Sequence, residues 1–503
     1  MRFGIAATGF SAVLALACGD DSTRADAGRD AGLDTGLDAR ADARADADAD
    51  AAIEGASLAL LAPRRALLGE RVPFRVVLRR DAARDWAHEP TPVDIEAGDA
   101  RVRVELVRGM AVGWITPSAG AEAIRASLGA LDATRPVAIV EDAERVVRGT
   151  LAGDELRWSG RVRVEGDVVV PAGQTLVIEP GTHVRLDAGV GLQVLGDLQA
   201  EGGDDPITLL ASDPSMPFGH IRASGSVRLG AVFVSGGGAG AWTHAEFRHC
   251  CIPMLWVDDG SLTVTGSTFF DSPSAKGILT ENTDVVIRDT IFSGLGFGTE
   301  HFTEPPHTVL IEDCAYREMR GIDDDDGMYF WRLGDAVVRR TTISGVDDDG
   351  VDIESATPRL EDVLIEDAAD KCVSVTNEGP TVVNAFFQRC RVGVKVDGTE
   401  AASRFERVTM IDLLEEGVRL SDREGSQPDA IIRPVFDRVI LGPVPTPLLT
   451  DYDPLDATFS DSVLPAELGT SGTGNLVAVP DLEGYEPREG SAAASLGAGF
   501  REW

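Results

Sequence analysis

Basic charge is what this 503-residue chain most lacks: 46 lysines and arginines face 83 aspartates and glutamates, for a formal net charge of −37. No basic stripe is available to displace counterions from phosphates, which excludes nucleic acid as a partner. The same charge opposes an unaided grip on an anionic polysaccharide such as pectate; calcium would have to mediate it. Histidines 88, 183, 220, 244, 249, 301 and 307 show no ligand spacing for zinc, although His244 and His249 lie close, so a surface role is expected for them. Long hydrophobic runs are missing too. Only residues 3–17 form one, and it is too short to span a bilayer comfortably.

That single run follows Arg2 and carries Val13, Leu14 and Leu16, the layout of an export signal. It ends in LALAC, which resembles a bacterial lipobox, with Ala15 where leucine is usual. The resemblance implies removal of residues 1–17 and lipidation of Cys18, hence an exported outer-membrane or cell-surface lipoprotein tied to the membrane by its anchor. Ordinary secretion with cleavage near Ala17 is the alternative. Residues 18–54 are then a tether of Ala, Asp, Gly and Arg, with Asp30, Asp34, Asp38, Asp42 and Asp46 every four residues. Nothing in it can offset the entropy of ordering, so it is expected to stay solvated.

From Gly55 to Gly153 apolar residues alternate in short runs: Val72, Phe74, Val76 and Leu78 share one face, as do Val102, Val104 and Leu106. This predicts a small antiparallel β-sandwich over 55–153, to which VAIVEDAERVVRG adds strand material. RRALLGERVPFRVVLRR resembles the immunoglobulin-like modules of bacterial surface proteins, which implies spacing or adhesion.

Beyond Asp154, strands of three to five residues stand between Gly, Pro and Asp turns with no helical stretch among them, so they cannot build a βαβ sheet. They can wind as coils, each burying its apolar side chains against the next. Ile287, Ile311, Val338, Leu360, Val383 and Phe405 mark one coil each, at steps of 22 to 27 residues. The predicted class is all-β: a right-handed parallel β-helix over 154–503, preceded by the sandwich. VPAGQTLVIEPGTHVRL resembles the opening coils of the pectin-lyase-like β-helix proteins, and GNLVAVPDLEGYEPREGSAAASLGAG resembles their C-terminal segment.

Setting Met328 and Phe330 under Val351 and Ile353, then under Val373 and Val375, and Val394 and Val396, stacks Asp326, Asp349 and Lys371 in successive coils. Asp325, Asp348 and Asp370 form the next row. Stacked carboxylates raise one another's pKa or recruit a cation, and Asp325, Asp326, Asp348 and Asp349 are the set that would hold calcium. Tyr329 and Trp331, which follow DDDDG, are candidates for a sugar platform, although alternate members of that run should be core.

DDDGVDI, ADKCVSV and CRVGVKV resemble the successive motif steps of glycoside hydrolase family 28, the polygalacturonases. That resemblance implies catalytic roles for Asp349 and Asp370, and a disulfide between Cys372 and Cys390 that would stabilise by roughly 3 kcal/mol. It departs at Lys371, which replaces the third aspartate, and at Val392, which replaces the histidine. The same segments resemble more fully the β-helix modules of bacterial surface proteins that often accompany CotH-type kinase domains, which share the lysine. No glycine-rich loop with a following Lys and catalytic Asp is present, so a kinase is excluded here. Sequence reasoning finds no partner for Cys250, Cys251 or Cys314. Two functions follow: a non-catalytic module binding carbohydrate or an envelope component, or a lyase, epimerase or hydrolase acting on uronate polymers, with Asp349, Asp370 and Lys371 in its active site.

Lipidation is directly measurable. Cys18→Ala should move the protein out of the membrane fraction; retention there would refute the lipobox reading.

Overall fold

The computed structural model describes residues 55–80, 83–84, 90–239, 251–321, 325–398, 403–421, 434–450, 457–468 and 472–503. Cys18 and the tether lie outside them, as do His88, His244, His249 and Cys250.

Two antiparallel sheets open the described chain. One contains Ala56–Leu61, Val72–Arg80, Ala83–Arg84 and Met110–Ile115; the other contains Thr91–Ala97, Ala100–Leu106, Ala123–Leu128 and Leu131–Pro136. Phe74, Val76 and Leu78 from the first share one core with Val93, Ile95, Ile124 and Ala126 from the second. Val72–Arg80 departs from simple alternation, since Arg75 and Val77 on its other face are buried as well. Their face is taken up by the solenoid: Val77 and Met110 pack with Ile291 and Ala315.

The solenoid begins earlier than expected. Glu144–Thr150 pairs in parallel with Arg161–Val170, so it is the first rung of the β-helix and not a strand of the sandwich. Parallel pairing then continues to Leu476–Val477, each strand bonded to its counterpart one coil on. Inward side chains fall into columns. Ile287, Ile311, Val338 and Leu360 stack as predicted, but Leu360 pairs with Val382, not Val383, and Val382 pairs with Phe405. Val382 is buried whereas Val383 is half-buried, the outcome of a one-residue slip in a structure of period two. Phe405, Phe436 and Phe459 continue the column as a ring stack with centroids 4.9 and 4.8 Å apart. Each fully buried Val, Leu, Ile or Phe adds roughly 1.5–3 kcal/mol, so the columns supply the driving force for winding.

Corners also recur in register. Asp289, Asp313, Arg340, Asp362, Asn384, Arg407, Arg438 and Asp461 all have positive φ, each two residues after a column member. Asp and Asn tolerate that conformation because their side chains can bond locally.

The sandwich lies along the flank of the coils. Glu70 accepts two bonds from Arg161 at 2.9 Å, Arg75 donates to the Asp289 carbonyl at 2.9 Å, and Trp114 Nε1 donates to Asp271 at 2.8 Å. Farthest along, Arg108 grips Glu366 through both Nε and Nη2, with both side chains buried. The C-terminal chain returns along this flank: Gly499, Phe500 and Arg501 bond to Arg438, Thr409 and Asn384 in turn, and Phe500 packs on Leu364 and Phe386.

Arg108→Met should leave Glu366 buried with only the half-exposed Arg389 as counter-charge. We expect a loss of roughly 2–4 kcal/mol in denaturant unfolding, most of which Glu366→Gln should restore in the double variant.

Candidate functional site

The predicted register around the acidic turn holds: Met328 and Phe330 pair with Val351 and Ile353, which pair with Val373 and Val375, then with Val394 and Val396. Gly350 explains why glycine ends the acidic run. A Cβ there would stand 2.4 Å from Ile365 Cγ2 and 2.7 Å from the Cys372 carbonyl oxygen.

The turn aspartates serve the backbone first. Asp325 accepts from the Gly321 N–H at 2.8 Å, Asp326 from the Asp349 N–H at 3.0 Å, and Asp349 from the Lys371 N–H at 2.9 Å. Two of these bonds run from one coil's carboxylate to the next coil's amide, which turns a repulsive stack into a ladder. The expected calcium set is therefore not assembled as predicted. Among the described residues the carboxylates whose oxygens converge are Asp348, Asp349 and Asp370, within 4.8 Å, while Asp325 and Asp326 are turned to amides.

A cation already sits among those three. Lys371 Nζ donates to both oxygens of Asp349, at 3.1 and 3.2 Å, and to Asp370. Arg391 Nε adds a bond to Asp370 at 3.0 Å. Burial raises the proton affinity of Asp349, against the pull of Lys371. Burial also works on Asp370, yet Lys371 and Arg391 hold it below the usual carboxylate range. Desolvation opposes the Lys371 charge, but Asp349 and Asp370 keep the ammonium well above the ordinary lysine value. Cys372 and Cys390, the pair implied by the polygalacturonase-like spacing, form a disulfide with Cα atoms 5.6 Å apart, joining this coil to the next turn.

Asp352 went unnoticed in the sequence because its alternation marked it only as outward-facing. It stands between Tyr329 and Ser374 on the outer face of the strand ladder, half-buried. Burial and the Asp349 charge push its carboxyl up to about 7. Such a group is part protonated near neutrality and can take or give a proton.

Tyr329 is not a platform. It is 1% exposed, and its hydroxyl donates to Glu354 at 2.8 Å. Trp331 is half-buried, stands edge-on to Phe302 at 5.4 Å and carries Arg332 4.2 Å from its ring centre. Upstream the outer face is closed: Leu279, Glu300 and Lys276 are buried, the last two as an ion pair. The open stretch of the face thus runs over Asp348, Asp352, Glu354, Asp370, Lys371 and Lys395.

Two histidines expected at the surface are buried. His183 contacts Thr208 at 3.2 Å and His301 contacts Thr280 at 2.8 Å, and desolvation lowers their pKa values to about 4 and about 3, so both rings are neutral. Cys251 is disulfide-bonded, and Cys314 is buried with its thiol donating to the Glu312 carbonyl at 3.2 Å.

Lys371→Ala should destabilise by roughly 2–4 kcal/mol, because Asp349 is then buried without its cation. Calcium should leave the wild-type melting temperature nearly unchanged and raise that of the variant. A large calcium-dependent rise in the wild type would show that the ammonium does not fill the site.

Comparison with known proteins bears on the fold. The family described as "Right handed beta helix region" matches residues 251–410. No curated protein matches the chain in sequence. Among solved structures, a double mutant of the periplasmic alginate epimerase AlgG is similar at 10% identity with a TM-score of 0.37, over 59% of this chain and 76% of that one. A mutant tailspike protein of E. coli bacteriophage HK620, in complex with a hexasaccharide, is similar at 10% identity with a TM-score of 0.27, over 62% of this chain and 73% of that one. The family match covers the coils that carry the acidic turn, and with the parallel rungs on either side it makes this chain an all-β protein built on a right-handed β-helix.

Proposed function

We propose that the protein is an exported, lipid-anchored component of the cell envelope. In this reading Cys18 carries the lipid, residues 18–54 form the tether, and the β-helix is a non-catalytic module that binds a carbohydrate or another envelope component. The sandwich, which we read as immunoglobulin-like, serves as a brace and not as a spacer, because it lies along the coils.

One observation carries the non-catalytic reading: Lys371 closes on both Asp349 and Asp370. The two carboxylates that the hydrolase resemblance makes catalytic are each committed to the same ammonium, and Asp349 also holds the next coil's N–H. An inverting pair needs one acid and one base with room for water between them, and this pair has a lysine there. What the open face offers is a rigid row of donors and acceptors at a spacing of about 4.8 Å, suited to the hydroxyls of an extended polymer. Because the chain is so acidic, a neutral glycan fits it better than a polyanion.

The rival, an enzyme acting on uronate polymers, has one observation in its favour. Asp352 is poised near pH 7 beside Lys371, and a carboxyl with that proton affinity next to a fixed cation could move a proton at a carbon beside a carboxylate.

Incubation with alginate, pectate and polygalacturonate, followed by assays for unsaturated ends, reducing ends and changed epimer ratio, separates the two. We expect none of the three signals. Turnover that vanishes in Asp352→Asn, or in both Asp349→Asn and Asp370→Asn, would replace the binding module with an active site.

A further inference from the structure

Where sandwich, solenoid and C-terminal chain meet there is a cavity of about 440 Å³, within the size range of small-molecule sites, whose lining includes none of Asp348, Asp349, Asp370 and Lys371. Three guanidiniums line it. Arg108 is committed to Glu366, and Arg389 is committed to Glu366 and Asp367. Arg317 differs. Its Nε donates to Ser293 Oγ at 3.0 Å and its Nη1 to the Met110 carbonyl at 3.2 Å; among the described residues no carboxylate is ion-paired with it, although the charges of Glu318 and Glu105 act on it from farther off. Neutral oxygens hold the group in place and leave Nη2 without an acceptor of its own.

A guanidinium is never deprotonated in a protein, and desolvating one without a carboxylate in ion-pair contact is costly. Of the remaining walls, Phe386 and Ile411 give an apolar side, Ser344 and Gln388 supply hydrogen-bonding side chains, and Glu318 contributes a carboxylate. We infer that this junction is a binding site for a carboxylate-bearing small molecule of about monosaccharide size, with Arg317 holding the carboxylate and Phe386 facing the ligand's carbon skeleton. A sugar acid and the C-terminus of a short peptide share this chemistry. The site does not depend on the proposed role of the open face, since none of its lining residues belongs to that face.

Titration calorimetry with the full chain tests it, using D-galacturonate and acetyl-Ala-Ala as probes and galactose and acetyl-Ala-Ala-amide as their neutral counterparts. At least one acid should bind about tenfold or more tightly than its neutral partner. Whichever acid binds better names the source, sugar or peptide. Arg317→Gln should abolish the preference, as should Ser344→Phe, which fills the cavity and leaves the guanidinium intact. Asp352→Asn on the open face should leave binding unchanged, so failure here is distinct from failure of the carbohydrate-face reading. Melting curves identify any variant that has lost its fold. Equal binding of acids and neutral partners, no binding by any probe at millimolar concentration, or full binding in folded Arg317→Gln and Ser344→Phe would overturn the assignment.

Discussion

The solenoid depends throughout on the in-register hydrogen bonding of one coil to the next. With about 4.8 Å between coils, whatever a residue is, its counterpart one turn later lies directly over it. For apolar columns the constraint is favourable: Phe405, Phe436 and Phe459 stack as parallel rings because the backbone leaves them nowhere else to go. For carboxylates it is costly, since like charges are held closer than free side chains would choose. The protein meets that cost in two ways. It turns Asp326 and Asp349 onto the next coil's amides, and it places a lysine where a third aspartate would have stacked.

The chain contains only three lysines, at 276, 371 and 395. All three lie on strands of the same ladder and each reaches a carboxylate, in Glu300, in Asp349 and Asp370, and in Asp397. The flexible point charge of lysine is kept for this face, while the flank that holds the sandwich uses arginine. Guanidiniums there grip Glu366 and Glu70 through two nitrogens each, a planar fork that a single ammonium nitrogen does not offer. Arginine serves the lysine face as well, where Arg391 donates to Asp370 and Arg419 lies over Lys395, so lysine is confined to one face while arginine is used on both.

Much of the fold was legible because the coil repeat leaves its mark in apolar spacing. The register around the acidic turn followed from Met328, Val351, Val373 and Val394 alone. The slip at Val383 arose because two adjacent valines look alike to a hydrophobicity argument. The corner residues would have resolved it: Asp362 and Asn384 stand two places after Leu360 and Val382, as Asp289 does after Ile287. The first rung at Glu144 was misassigned because a strand of the β-helix and a strand of the sandwich carry the same alternation; only their pairing tells them apart. The site was half legible. Asp349, Asp370 and Lys371 could be brought together from register. Asp352, the burial of Tyr329 and the lack of a salt bridge at Arg317 depend on what covers a surface, and a local pattern does not encode that.

A solenoid held only by neighbour contacts behaves like a stack of coins and can shed end coils one at a time. The returning C-terminal chain changes that. Gly499, Phe500 and Arg501 fasten to coils at Arg438, Thr409 and Asn384, and Tyr485 from the same segment meets Arg108 of the sandwich, which is itself fixed as far back as Arg161. The C-terminal segment is thereby latched to the sandwich, along the length of the stack. Pulling on the terminal coil loads the middle coils and the sandwich together, so the molecule yields as a single body and not as an unwinding spring.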